Sequence, residues 1–88
     1  MAVEIILDSA AGRRSTRISD LSLGGCYVES MTNFREGEEV AFELQAPDGR
    51  TLRFTGTVAY LLEGFGFGLK FDELNDEQAQ FVRSALGE

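Results

Sequence analysis

Asp20-Leu21-Ser22-Leu23-Gly24-Gly25 runs directly into the apolar segment Cys26-Tyr27-Val28. Asp and Ser side chains bond nearby backbone N–H groups, and glycine takes backbone angles that other residues avoid. The segment therefore reads as a polar corner leading into a strand, with the pattern Asp-x-Ser-x-x-Gly at Asp20, Ser22 and Gly25. Upstream, Arg14-Ser15-Thr16-Arg17-Ile18-Ser19 reads as a second strand, with Thr16 and Ile18 on one face and Ser15, Arg17 and Ser19 on the other. The same alternation puts Arg13 on the face of Arg17, and Arg14 opposite. Downstream, Cys26–Ser30 is the third strand.

Working outward, Val3–Leu7 is a short β-prone run, ended by a hairpin loop at Asp8–Gly12. Beyond a loop at Met31–Gly37, Val40, Phe42 and Leu44 alternate with Glu39, Ala41 and Glu43, the pattern of a half-buried strand. Ala46-Pro47-Asp48-Gly49 is a hairpin turn, with Pro presetting its angle and Asp-Gly closing it. A long strand is predicted over Arg50–Leu62, with Leu52, Phe54, Gly56, Val58 and Tyr60 on one face. Glu63-Gly64 reverses the chain into a sixth strand, Phe65–Phe71, whose glycines allow close approach or a sharp bend.

The period then changes. Asn75 and Gln78 form a capping-box pair, Asp76 and Glu77 favour the first helical turn, and Gly87 is the stop signal. Ala79, Val82 and Leu86, with Phe81 and Ala85, give an apolar stripe at helical spacing. The predicted helix, Asn75–Leu86, packs through Val82 and Leu86 and through either Phe81 or Ala85. Short strands at hairpin spacing followed by one helix predict an all-β fold. The expected architecture is a small six-stranded antiparallel barrel with a C-terminal helix, a single domain over residues 1–88.

Composition narrows the function. The 88 residues carry a net charge of -7, and such a chain repels the backbone of DNA or RNA. Its longest apolar runs, Ile5–Leu7 and Ala59–Leu62, are too short to span a bilayer, and no signal-peptide pattern opens the chain. The protein is expected to be cytoplasmic, without membrane insertion. There is no His, and Cys26 is the single cysteine, so a Ser-His triad, a disulfide within the chain and a Cys-cluster zinc site are excluded. Ser22 has no neighbouring base, and Cys26 reads as a small buried hydrophobe. Gly64–Gly68 fails the phosphate-loop patterns and does not precede a helix. We expect no enzyme and no cofactor.

Arg13, Arg14 and Arg17 place three of the eight basic residues within five positions. Guanidinium groups clamp phosphate or stack on purines, and a carboxylate accepts from base-edge donors. Read with the corner, these arginines, Asp20, Ser22 and Gly25 form a candidate ligand site. The simpler alternative is a solvated strand beside a corner tied by Asp20 and Ser22.

The chain resembles the PilZ domain family over nearly its whole length. The resemblance rests on Asp20-Leu21-Ser22-Leu23-Gly24-Gly25 leading into a strand, and on Thr55–Tyr60 turning into Gly66–Phe71. It implies a six-stranded barrel with a C-terminal helix that binds the bacterial second messenger cyclic di-GMP. The family's second motif, Arg-x-x-x-Arg, is matched in letters by Arg13–Arg17. In the family that pair lies on an arm before the first strand. Only Met1-Ala2 precedes Val3 here, so the arm is expected to be missing. The resemblance leaves an alternative open: an interaction domain of the same fold that binds no nucleotide, contacts an unknown protein partner or a second copy, and serves type IV pilus or flagellar motility.

Overall fold

The computed structural model describes residues 3–9, 12–30, 34–62 and 64–87. Six strands form a closed barrel: β1 (Glu4–Ser9), β2 (Gly12–Ser19), β3 (Gly25–Val28), β4 (Glu39–Gln45), β5 (Thr51–Leu62) and β6 (Gly66–Phe71). One helix, α1 (Asp76–Ala85), follows. The strand order β1-β2-β3-β6-β5-β4 is two three-stranded meanders joined along two seams. β3 pairs with β6 and β1 with β4, every pair antiparallel. Closure gives each strand two paired neighbours.

Alternation fills the interior. Ile5, Leu7, Val28, Val40, Phe42, Leu44, Phe54, Val58, Phe67 and Leu69 are buried in one cluster. Its centre is aromatic: Phe42 stacks on Phe54 with centroids 5.8 Å apart, and Phe71 lies within 5.9 Å of both. The β1–β2 ladder runs as far as Ser9–Gly12, further toward the turn than the alternation indicated. At the other hairpin, Gly49 takes φ 94° and Asp48 accepts from the Arg50 backbone at 3.0 Å, as the Pro-Asp-Gly reading required.

Asn75 caps α1 with a full capping box. Its Oδ1 accepts from the Gln78 N–H at 2.8 Å, and its own N–H donates to Gln78 Oε1 at 2.9 Å. Gln78 Nε2 also donates to the Arg53 carbonyl at 2.9 Å, tying the helix to β5. Phe81 packs edge-on against Phe54 at 6.0 Å, and Val82 is fully buried. The expected apolar stripe is right for Val82 and Phe81 but wrong for Leu86, which is the C-cap and 39% exposed. Leu86 keeps helical angles and its N–H donates to the Val82 carbonyl at 3.0 Å, but at the helix end its side chain stays exposed.

The long-strand pattern fails at one position. Leu52 through Val58 keep the expected face, but the register shifts between Val58 and Tyr60, so Val58 pairs with Leu69 and Tyr60 with Gly68. This bulge turns Tyr60 from the interior to the outer surface, on the side of Tyr27, which also pairs with Gly68.

Candidate functional site

Ser22 holds the corner between β2 and β3. Its N–H donates to the Gly25 carbonyl at 2.9 Å, and its Oγ accepts from the Gly24 N–H at 3.2 Å. The Gly24 carbonyl in turn accepts from Phe71 N–H at 2.9 Å, which seats the corner against β6. The unusual backbone belongs to Asp20, with φ 51°, and not to either glycine. Asp tolerates this left-handed geometry better than most residues. Gly25 is needed for a different reason: a Cβ there would run into the Leu69 carbonyl.

Asp20, Ser22 and Gly25 share an open hollow of about 240 Å³ with Tyr27, Tyr60 and Lys70. The two tyrosine rings stack at 6.5 Å between centroids, tilted by 29°. Gly68 lies under the Tyr60 ring, and the Tyr27 hydroxyl sits 3.0 Å from where a Gly66 Cβ would be. Lys70 is exposed and pairs with Gly25 on one side and Thr57 on the other. The hollow thus brings together a carboxylate, a hydroxyl, two ring faces and an ammonium.

Arg14 and Arg17 do not line it. Arg17 is on the outer face but does not line the hollow, and its register sets it between Glu4 of β1 and Glu29, whose N–H donates to the Arg17 carbonyl at 3.1 Å. Arg14 pairs with Leu7, an interior position, at the far end of the β1–β2 hairpin. The backbone of Arg13 pairs with Asp8, and its side chain lies outside the described residues.

Sequence reading did not select Tyr27, Tyr60 or Lys70 as site residues. Lys70 was within reach: it alternates with Leu69 and Phe71, so it must face outward, and it is the single lysine. Tyr60 was not, because only the bulge brings it there. Cys26 lines the same region from the strand, but burial pushes its thiol up to about 12, so it stays protonated at neutral pH.

A family model described as PilZ domain matches residues 1–87. The chain belongs to the PilZ family. No curated protein matches it. PilZ domains are a family of cyclic di-GMP receptors, and they are binding modules, not catalysts. In this PilZ domain the Asp-x-Ser-x-x-Gly signature is the corner that rims the hollow. Among its described residues no helix is long and apolar enough to cross a membrane.

Proposed function

We propose that this PilZ domain is a non-catalytic receptor for cyclic di-GMP, held on the outer face of the barrel at the Asp20 corner. The observation that carries the reading is the meeting of the signature corner with Tyr27, Tyr60 and Lys70 in one hollow. Each group suits one part of the ligand. The Asp20 carboxylate and Ser22 hydroxyl meet guanine-edge donors and acceptors, and Gly25 lets the ligand approach the backbone. The tyrosine faces stack on a base, an interaction worth about 1–3 kcal/mol per base. Lys70 meets phosphate, and Arg17 supplies a second cation on the same face. A receptor for a bacterial second messenger works in the cytoplasm and passes the signal on by contact with an effector.

Calorimetric titration with cyclic di-GMP tests the reading. Saturable binding that weakens roughly tenfold or more in Asp20→Ala and in Lys70→Ala is expected. No heat at millimolar nucleotide defeats it, and binding indifferent to both substitutions puts the ligand elsewhere.

A further inference from the structure

Six large apolar side chains are exposed among the described residues, and four of them, Tyr60, Leu61, Leu62 and Phe65, belong to the β5–β6 hairpin. Phe65, at the tip, is 74% exposed. The hairpin stands clear of its neighbour strand. The β4 ladder on β5 ends at Glu39–Thr57, with the last described backbone bonds at Val58, while β5 and β6 stay paired to Leu62–Gly66. Leu62 shares the outer face with Tyr60. Leu61 is on the opposite face, across from Phe67, whose ring takes the edge of Phe34 at 5.6 Å. The projecting strands are apolar on both faces, and Phe65 extends this to the turn, whose sequence also carries the acidic Glu63. Leu61, Leu62 and Phe65 lie outside the buried core, so burial among the described residues does not account for them. Contiguous apolar surface of this kind marks a contact site.

The charge beside it says what kind. The Gly37 N–H donates to the Val58 carbonyl at 2.8 Å, and the Val58 N–H to the Glu38 carbonyl at 2.9 Å. These bonds hold the Glu36–Glu39 loop against the base of the hairpin. Glu36, Glu38 and Glu39 are all exposed there, against one cation in the loop, Arg35. An anionic lipid surface is repelled by such a rim. A second copy of a chain with net charge -7 would bring like charge to it. An apolar segment with cationic residues complements both features.

We propose that the β5–β6 hairpin docks an apolar segment of a partner protein, one carrying Arg or Lys next to its apolar residues. Tyr60 also lines the hollow, so the docking surface proper is Leu61, Leu62 and Phe65, none of which lines it, and the proposal does not rest on nucleotide binding.

The test uses the full chain without nucleotide. A fluorescent synthetic peptide of Leu and Arg is titrated by polarisation, beside a matched Leu and Glu peptide, and NMR shift mapping locates the contact. The Leu/Arg peptide should bind, shift residues 60–66 and 36–39, and bind at least tenfold more weakly to Phe65→Ser and Leu61→Ser. Glu36→Gln with Glu39→Gln should weaken binding and flatten its salt dependence. These positions are exposed, so the variants should keep the wild-type fold, checked by circular dichroism. The proposal is overturned by no peptide binding at millimolar concentration, by equal binding of the Leu/Glu peptide, or by binding insensitive to Phe65→Ser. It is also overturned if the hairpin variants abolish instead a dimer seen in sedimentation, or binding to phosphatidylglycerol vesicles.

Discussion

The ring of Tyr60 occupies the space above Gly68 that any side chain at that position would need. Half-exposed on its other side, the ring can swing away if that space is taken. Gly68→Ala should therefore leave the barrel folded while displacing one wall of the hollow. Gly25 differs, because its Cβ would meet the Leu69 carbonyl and, at 3.1 Å, the Lys70 Cα, which are backbone. Gly25→Ala should cost about 2–3 kcal/mol by overpacking. Gly64→Ala, at φ 86° in open space, should cost about 1 kcal/mol. Thermal melts should rank Gly25→Ala as the least stable, and a Gly64→Ala melt as low as Gly25→Ala would contradict the close-approach argument.

Nucleotide affinity should follow register, not the density of basic residues in the chain. Lys70 borders Gly25 directly, whereas Arg17 sits between Glu4 and Glu29. Losing a charged hydrogen bond to phosphate costs about 1.5–3 kcal/mol, roughly ten- to hundredfold in affinity. Calorimetry should show that loss in Lys70→Ala, a smaller one in Arg17→Ala, and none in Arg83→Ala. The reverse order for Lys70 and Arg17 would move the phosphates toward β2.

The helix is held through Phe81 and Val82. Phe81→Ala should destabilise by about 3 kcal/mol, since it empties a site against Phe54, while Leu86→Ala should cost well under 1 kcal/mol. Chemical denaturation separates the two cleanly, and equal midpoints would mean that the helix packs through its last turn.

Gln78 does two jobs, completing the capping box and donating to Arg53 on β5. Asn75→Ala should cost about 1 kcal/mol as a lost cap. Gln78→Ala should cost at least as much, because it also releases the tether to the barrel. Urea melts of both variants check this ordering.

Cys26 should be chemically silent in the folded protein. Its thiol is raised from an ordinary value near 9.0 to about 12, by burial. The folded state therefore holds the proton more tightly than the unfolded chain. The associated stability is complete below pH 9 and is lost as pH rises toward 12. A thiol reagent at pH 8 should label Cys26 only in denaturant, and rapid labelling of the native protein would show that the strand opens.

Two kinds of information were legible in the sequence. Strand faces were readable where apolar and polar residues alternate without interruption, as at Val40–Leu44 and from Leu52 to Val58. The helix cap was readable because Asn75 and Gln78 lie within one turn. The corner was readable as a corner, but its reason was not: positive φ belongs to Asp20, and Gly25 answers to a strand that arrives from 45 residues later, at Lys70. The three arginines looked like one group because they are close in the chain. Strand pairing matches each with a different β1 residue, Arg17 with Glu4, Arg14 with Leu7 and Arg13 with Asp8, and neither Arg14 nor Arg17 lines the hollow.

The sequence by itself determined the number and type of elements, the barrel class, the capped helix and the signature corner. These depend on interactions within a few residues and on the two-residue period of a strand. Only the tertiary structure decided that the corner faces Tyr27, Tyr60 and Lys70, and that Leu61, Leu62 and Phe65 project beyond β4. The physical reason is closure. A twelve-residue β5 must pair with shorter strands on both sides, and the mismatch is absorbed by a bulge after Val58 and a hairpin that outruns the barrel.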